Sequence, residues 1–225
     1  IQSDAFDLLK AIPDKSIDMV LTDIPYWEVN RESNGLRKLD KENADTMTFD
    51  LNLLLEELDR VTKWSIYIFC WFTQISTIIN YFKTHNFSDR VIVWEKTNPS
   101  PMNAKTLYVS GIEVCAFWKR KWVWATYNGW FRNTVFRYPT ARKIKLNNFN
   151  KDISHPTPKN LELFKEIIRK SSNEWDIILD PFAGSFTTAI ACLETNRRFI
   201  CADISKDFVE FWQSRINEYK NKELN

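Results

Sequence analysis

Glycine, histidine and cysteine are scarce in this chain of 225 residues. It has four glycines, two histidines and four cysteines, and each cysteine stands singly in an apolar stretch. Because no Cys-x-x-Cys pair is present, we expect neither a zinc site nor a disulfide framework. The sequence therefore predicts a protein without a bound metal that works in a reducing compartment, the cytoplasm.

Long apolar runs are absent as well. No stretch of about 18 apolar residues occurs, so we expect no membrane span and no secretion signal. There is also no G-x-x-x-x-G-K-[ST] loop, which argues against a bound nucleoside triphosphate. With 44% hydrophobic residues in 225 positions, the chain is long enough for one domain, 1–225, with a full core.

Acidic residues are missing from 114–151, although the whole chain carries a net charge of only +2. This stretch of 38 residues holds nine basic ones, interleaved with many aromatic residues. The rest of the chain must then carry +2 − 9 = −7. A basic block on an otherwise acidic chain indicates a polyanionic partner.

Apolar periodicity alternates between strand and helix, most regularly near the carboxyl terminus. There we predict a helix at 161–169, a strand at 175–180, a helix at 185–195, a strand at 199–203 and a helix at 206–219. This order is typical of a parallel sheet with right-handed crossovers. Two further strands, 90–95 and 112–118, are expected to pair antiparallel at one edge of that sheet.

The first motif is the run 17–26, an apolar segment that ends in Thr22-Asp23-Ile24-Pro25-Tyr26. Pro25 cannot donate a backbone hydrogen bond, so the buried strand must stop there. One carboxylate and one aromatic ring then lie at the carboxyl end of a strand, the edge where open α/β sheets bind ligands. An acid that merely caps a turn is the alternative.

The second motif is 177–188, a strand, a tight turn with Gly184 and the start of a helix. Free backbone N–H groups at such a turn can bind an anionic group. Asp203 ends the next strand, 23 residues after Asp180. An acid at that position commonly binds ribose hydroxyls, so the pair of features favours a nucleoside-type cofactor over a plain βα turn.

Together these motifs resemble those of the DNA amino-methyltransferases. Residues 22–26 resemble the D-P-P-Y catalytic motif, 180–188 the D-P-F-x-G-S-G-T-T S-adenosylmethionine motif, 155–159 the H-P-T-x-K segment and 4–6 the segment before the catalytic strand. The catalytic motif precedes the cofactor motif, as in the β class. The resemblance implies a Rossmann-like, mostly parallel doubly wound α/β sheet with an antiparallel edge strand and an inserted basic target-recognition region.

The resemblance also implies a mechanism. The target base is flipped out of double-stranded DNA, and Asp23 and the Ile24 carbonyl accept hydrogen bonds from its exocyclic amine. Pro25 shapes the turn and Tyr26 stacks on the base. Asp rather than Ser at position 23 favours adenine N6 over cytosine N4. The residues expected around S-adenosylmethionine are Asp4, Ala5, His155, Thr157, Lys159, Asp180, Phe182, Gly184, Thr187 and Asp203.

The acid-free block supplies the expected DNA-binding residues, within a target-recognition region at about 119–150. A long polar loop at 27–47 is predicted to be mobile. A homodimer or a partner restriction endonuclease remains open. The basic residues expected to contact DNA are Lys119, Arg120, Lys121, Arg132, Arg137, Arg142, Lys143 and Lys145.

Two departures from the family pattern leave alternatives open. Ile24 replaces the first proline of D-P-P-Y, and Phe186 replaces a glycine beside the cofactor. Cytosine-N4 methylation and a degenerate, weakly active DNA-binding subunit are therefore kept beside the adenine-N6 prediction. We expect the Phe186 ring to point into the core and to leave the cofactor pocket open.

Overall fold

A computed structural model describes residues 1–26, 49–85, 87–101, 108–121, 128, 133–141 and 158–223. Several expectations fall outside these ranges. They are the loop 27–47, His155 and Thr157 of the cofactor set, and Arg132, Arg142, Lys143 and Lys145 of the basic set.

Seven strands and six helices make up the described part of the chain. The strands are β1 (Ile17–Asp23), β2 (Thr62–Cys70), β3 (Ser88–Lys96), β4 (Ile112–Lys119), β5 (Val135–Tyr138), β6 (Ile177–Asp180) and β7 (Arg198–Cys201). The helices are α1 (Ala5–Ala11), α2 (Leu51–Val61), α3 (Phe72–Thr84), α4 (Leu161–Ser171), α5 (Thr187–Leu193) and α6 (Lys206–Glu223).

The strands form one sheet in the order β5-β3-β4-β2-β1-β6-β7. All described pairings are parallel except β2 with β4 and β3 with β4, which confirms the mostly parallel α/β fold and the antiparallel β3–β4 pair. One detail needs correction, because the antiparallel strand β4 lies third from the edge. The sheet continues past it because β5, a strand that the periodicity did not predict, pairs with β3.

The crossovers put β2 on one side of β1 and β6 on the other. The strand order therefore reverses between β1 and β6, which is where open α/β sheets form their ligand crevice. β1 ends at Asp23, opposite Phe69 of β2, and β6 ends at Asp180, opposite Cys201 of β7. Two acidic residues thus lie at the carboxyl edge on either side of the switch point.

Both faces of the sheet are buried, as the continuous apolar strands require. Alternate residues of β1 enter different clusters: Val20 packs with α1, α2 and α3, whereas Met19 packs with α4. A third cluster packs α6 against α5. α2 and α4 are each capped by a side chain, Asp50 and Asn160 respectively, which fixes where these helices begin.

Among the described residues, no helix is long and apolar enough to cross a bilayer.

Candidate active site

Asp23 lies where β1 leaves the sheet, and its side chain is about one-third exposed (29%). Its Oδ1 atom accepts a hydrogen bond of 2.7 Å from the Tyr26 hydroxyl. Its Oδ2 atom lies 3.0 Å from the ammonium nitrogen of Lys159. Burial raises the pKa of Asp23, and Lys159 opposes that rise. The arrangement presents a carboxylate at the mouth of the crevice.

Lys159 reaches this carboxylate from the loop before α4, and only 8% of its side chain is exposed. Its Nζ atom also donates to Glu113 Oε2 at 2.6 Å and to the Tyr26 hydroxyl oxygen at 3.0 Å. Sequence reasoning expected Lys159 near the cofactor. The structure joins it to the two expected catalytic side chains, Asp23 and Tyr26.

The turn after Asp23 is held by hydrogen bonds from two neighbouring segments. The Ile24 N–H donates to the Phe69 carbonyl (3.1 Å), which extends the β1–β2 pairing by one residue. A proline at position 24 could not make this bond. The Pro25 carbonyl accepts a hydrogen bond from Gln74 Nε2 (2.8 Å). The other amide atom of Gln74, Oε1, accepts a hydrogen bond from the backbone N–H of Trp71 (2.8 Å). Gln74 therefore couples the turn after β1 to the start of α3.

The Tyr26 ring has an aromatic neighbour that the sequence did not single out. Its centroid lies 5.7 Å from that of Trp71, with the planes tilted by 34°. Trp71 in turn makes an edge contact with Phe72, which is 45% exposed. An aromatic surface thus lies beside the acid, at a place where a planar ring could stack.

Asp180, at the end of β6, has a different environment. Only 3% of the residue is exposed, and its carboxylate accepts hydrogen bonds from Thr22 Oγ1 (2.8 Å), Thr188 Oγ1 (2.5 Å) and the Phe182 N–H (3.2 Å). Burial, only partly opposed by these bonds, raises its pKa to about 7. Its side chain is therefore turned into the protein, where it ties β1, β6 and α5 together.

Asp203 follows β7 and is partly exposed. Its Oδ2 atom accepts from the Gly184 N–H (2.9 Å), and its Oδ1 atom accepts from the Ser205 N–H (2.8 Å). Gly184 has a φ of 44°, which glycine adopts without strain. These bonds fix the turn after β6 beside an acid that still has free lone pairs for a ligand.

The amino-terminal residues lie beside Asp203 and the turn that contains Gly184, and together they form the Asp203 corner. Gln2 forms a parallel bridge with Asp203, and Ser3 N–H donates to the Asp203 carbonyl (3.2 Å). Asp4 then caps α1 by accepting from the Phe6 and Asp7 N–H groups. The expected cofactor residue Asp4 is thus exposed close to Asp203, while its neighbour Ala5 is buried.

An aromatic row lies next to this corner. Phe182 stacks on Phe49 with centroids 5.4 Å apart, and Phe49 makes an edge contact with Phe6 at 5.8 Å. Phe182 was expected from its motif, whereas Phe49 carries no sequence signal beyond its place before α2. Partly buried rings, an acid and a glycine turn are groups that fit an adenosyl ligand, since Asp203 could accept hydrogen bonds from ribose hydroxyls.

The remaining residues of the cofactor motif are buried. Thr187 is 8% exposed and contacts Ser185 Oγ (2.9 Å). Phe186 has a φ of 52°, unusual for a residue with a side chain, and its ring is buried among α5 and α6 residues, 6.2 Å from that of Trp212. The ring points into the core, as the sequence predicted.

The expected DNA-binding residues that the structure describes are divided between the two ends of the sheet. Arg137 on β5 pairs in register with Glu95, and its side chain forms a 2.8 Å ion pair with that residue, near the carboxyl edge. Lys119, by contrast, is in register with Ser65 near the start of β2, whereas Val114 is in register with Cys70. Since β4 runs antiparallel, Lys119 lies about 17 Å along the strand from the carboxyl edge of β2.

Arg120 and Lys121 follow Lys119 at that opposite edge. Arg120 forms an ion pair with Asp59, and its guanidinium also lies over the Phe87 and Trp118 rings. These contacts assign Arg120 a packing role. Within the described part of the chain, no group of three or more His, Cys, Asp or Glu side chains could hold a metal.

Three residues at this site were not predicted from the sequence. Glu113 contacts Lys159, whereas Gln74 and Trp71 contact the turn after β1. Glu113 could have been noticed, because it is the last acid before the basic block and stands at the start of an apolar strand. Nothing in the sequence pattern marks Gln74 or Trp71, because only the fold brings the start of α3 next to the turn at 24–26.

A doubly wound sheet with acidic residues on either side of its switch point is a Rossmann-like fold, of the kind that binds nucleoside-type cofactors. The chain belongs to the DNA methylase family of N6 and N4 methyltransferases, whose family model matches residues 17–214. That match includes the turn after β1, the turn after β6 and the first half of α6.

Curated relatives match along nearly the whole chain. Type II methyltransferase M2.MboI of Moraxella bovis is 28% identical over 244 residues, covering 96% of this chain and 86% of the relative. DNA adenine methyltransferase YhdJ of Escherichia coli K12 is 29% identical over 259 residues, covering 100% of this chain and 85% of the relative.

Solved structures agree with the fold. The S-adenosylmethionine complex of M1.HpyAVI superposes with a TM-score of 0.71 at 25% identity, covering 95% of this chain and 96% of that one. The cytosine-N4-specific PvuII DNA methyltransferase superposes with a TM-score of 0.66 at 17% identity, covering 92% and 82% of the two chains. The second likeness concerns the fold alone.

Proposed function

We propose that this protein transfers a methyl group from S-adenosylmethionine to the N6 amine of an adenine flipped out of double-stranded DNA. The observation that carries the proposal is the partly exposed Asp23 carboxylate, held at the switch point beside Tyr26 and across from the Asp203 corner. Membership of the DNA methylase family supports the reaction class.

Asp23 has the chemistry that amine methylation requires. Each carboxylate oxygen has lone pairs left after its bond to Tyr26 or Lys159, so it can accept a further hydrogen bond from an exocyclic amine. Accepting that bond raises the electron density on the amine nitrogen. Catalysis then depends on holding the nitrogen in line with the methyl group and on preorganised electrostatics.

The aromatic residues beside Asp23 suit a planar base. Tyr26, backed by Trp71, offers a ring on which the flipped base can stack. The phenol of Tyr26 is bonded to Asp23, so the ring and the acceptor are fixed relative to each other. A base that stacks on Tyr26 would therefore bring its amine toward the carboxylate.

S-adenosylmethionine, when bound, supplies an electrophilic methyl group. On this chain Asp203 would bind the ribose hydroxyls, and the corner formed by Asp4, Phe182 and Gly184 would enclose the adenosyl group. A relative solved as an S-adenosylmethionine complex has the same fold at 25% identity, which supports this assignment.

Adenine is favoured over cytosine by two considerations. The acid at position 23 resembles the adenine-specific form of the catalytic motif, and one relative covering the whole chain is named a DNA adenine methyltransferase. A catalytically dead subunit is disfavoured, because Ile24 keeps its carbonyl and gains a sheet hydrogen bond, and the Phe186 ring is buried among α5 and α6 residues.

The test is to incubate the protein with deuterium-labelled S-adenosylmethionine and unmethylated bacterial DNA, and to analyse the nucleosides by mass spectrometry. The proposal predicts labelled N6-methyl-2′-deoxyadenosine. Labelled N4-methyl-2′-deoxycytidine would assign the alternative target, and no label despite measurable cofactor binding would favour a degenerate subunit. Loss of label in Asp23→Ala excludes a contaminating enzyme.

A further inference from the structure

The ammonium group of Lys159 has all three of its protons directed at oxygens of the protein. The acceptors are Asp23 Oδ2 (3.0 Å), the Tyr26 hydroxyl oxygen (3.0 Å) and Glu113 Oε2 (2.6 Å). Because an ammonium has three donors and no acceptor, its hydrogen-bonding capacity is filled by these contacts. A lysine committed in this way is poorly suited to bind a cofactor carboxylate as well.

The same contacts determine how the Tyr26 phenol is oriented. Its oxygen accepts from Lys159, so its single proton is directed to Asp23 Oδ1 at 2.7 Å. Lys159, Tyr26 and Asp23 thus form a closed ring of hydrogen bonds. The ring fixes the acceptor and the proposed stacking surface in one geometry before a base arrives.

Glu113 holds Lys159 from the opposite side. It lies at the start of the antiparallel strand β4, and its second oxygen, Oε1, forms a 2.9 Å ion pair with Lys96 at the end of β3. The four groups alternate in sign, Asp23, Lys159, Glu113 and Lys96, and their formal charges cancel. Removing one member would leave a poorly solvated, uncompensated charge.

The charge states agree with this geometry. Burial lowers the pKa of Lys159, but Asp23, Tyr26 and Glu113 outweigh it and hold that pKa well above its usual value. Burial likewise acts to raise the pKa of Glu113, yet Lys159 and Lys96 keep it below its usual value. The lysine is therefore always charged, and the glutamate always ionised, in the working range of pH.

We propose that Lys159, anchored by Glu113, is a positioning residue that keeps Asp23 ionised and oriented as the acceptor for the target amine. This inference rests on the proposed function, and it separates Lys159 from the cofactor site to which its sequence motif pointed. Glu113 is the second residue of this arrangement. It lies on β4, far from Lys159 in sequence, and anchors the lysine.

Other charged and titratable groups also face Asp23. Asp180 lies at the end of the neighbouring strand β6 and Cys70 at the end of β2, while Cys115 approaches from β4. Burial raises the pKa of Cys70 to about 12 and that of Cys115 well above its usual value, so both thiols stay neutral. Burial raises the pKa of Asp180 to about 7. Asp180 is unchanged in every variant below, so its effect on Asp23 is common to all of them.

The sign of the expected pH effect follows from the partners of Asp23. Burial raises its pKa, Lys159 lowers it and Glu113 raises it. Activity requires the ionised form, so it falls as the pH drops through this pKa. Removing the charge of Lys159 should therefore move the acid limb of activity to higher pH, and removing the charge of Glu113 should move it to lower pH.

The experiment compares Lys159→Met with Lys165→Met. Lys165 is a matched control, because its side chain is 12% exposed and bridges Glu162 of α4 (2.8 Å) and Glu194 at the end of α5 (2.7 Å). We expect Lys159→Met to lower kcat by about 30-fold or more at pH 7.5 and to move the acid limb up by about one pH unit. Calorimetric affinity for S-adenosylmethionine should stay within about threefold. Lys165→Met should change none of these.

Two further variants keep the inference testable if Lys159→Met folds poorly. Lys159→Arg retains the charge and should restore the acid limb while recovering only part of kcat, because a guanidinium cannot reproduce the three-way geometry. Glu113→Gln should shift the acid limb to lower pH, opposite to Lys159→Met. Carboxyl NMR of Asp23, assigned with Asp23→Asn, reads the same shifts without any turnover.

The outcomes separate this inference from the proposed function. If the wild type methylates no DNA, the proposed function fails, while the NMR shifts still decide the role of Lys159. An unchanged Asp23 titration in both Lys159→Met and Glu113→Gln would overturn the inference. So would a loss of more than about tenfold in cofactor affinity for Lys159→Met, because it would assign Lys159 to the cofactor.

Discussion

Asp23 and Asp180 end neighbouring parallel strands, and a proline follows each within two residues. Their surroundings differ: Asp23 is partly exposed and faces an ammonium and a phenol, whereas Asp180 is 3% exposed and faces two hydroxyls and a backbone N–H. The ammonium of Lys159 at the crevice holds the Asp23 carboxylate ready for a ligand. The hydroxyls and N–H around the buried Asp180 make it a residue that holds neighbouring elements together.

The largest effect should come from Asp23→Ala. It removes the acceptor of the amine and should cost about 3–4 kcal/mol of transition-state stabilisation, a loss of several hundredfold in rate. Cofactor affinity by calorimetry should stay close to that of the wild type, because Asp203 and its corner are untouched. More than about a tenth of the wild-type turnover, measured by methyl incorporation, would refute the role of Asp23.

Asp180→Ala should instead act on stability. It leaves Thr22, Thr188 and the Phe182 N–H without their shared acceptor, which should lower the free energy of unfolding by about 2–4 kcal/mol. Urea denaturation checks this, with Asp180→Asn as the size-matched control. If the alanine variant were fully stable and merely inactive, the two acids would not differ as described.

The pH dependence of stability sharpens the contrast. The folded-state pKa of Asp180 is raised from 3.8 to about 7, so the folded protein binds more protons than the unfolded chain between these values. Stability from this group is full at low pH and is lost as the pH rises through that window, by at most about 4 kcal/mol. The wild type should lose stability relative to Asp180→Asn between pH 4 and 8 in paired melting experiments. Parallel curves would contradict the raised pKa.

These two acids also show what the sequence could and could not reveal. The strand ends, the turns and the crossover order follow from apolar runs and prolines, and they predicted the parallel sheet and both acids. The partners did not follow, because Lys159, in the loop before α4, and Glu113, on β4, lie far from Asp23 in sequence. Only the fold brings Lys159 to Asp23 and Glu113 to Lys159. β5 was missed because four residues within an aperiodic basic segment carry too little pattern.

Phe186→Gly tests whether the Phe186 ring stabilises the fold by packing between α5 and α6. The change removes a buried ring and relieves a positive φ, so the two effects oppose each other. The loss of burial should exceed the relief of strain and lower the free energy of unfolding by about 2 kcal/mol. Cofactor affinity should stay within about tenfold of the wild-type value. Calorimetric titration and urea denaturation measure both. A much tighter cofactor complex would mean that the ring obstructs the site.

The smallest effect concerns where DNA approaches. If the chemistry occurs at the end of β1, phosphate contacts should lie near the carboxyl edge. Of the basic block, Arg137 is the residue that the structure describes near this edge. Replacing it together with Arg132, Arg142 and Lys143 of the same sequence block should reduce the slope of log affinity against log salt by about two, since each phosphate contact contributes about 0.9. Replacing Lys119 and Lys121, at the opposite edge, is the control and should leave the slope unchanged. The reverse result would move the DNA surface away from Asp23.

The most direct test of the whole account is to sequence the DNA of bacteria that lack their own adenine methylation and express this protein. The account predicts N6-methyladenine at one recurring sequence context, present with the wild type and with Asp180→Asn, and absent with Asp23→Ala. N4-methylcytosine at a recurring context, or an unmodified genome in cells that contain folded, cofactor-binding protein, would contradict it.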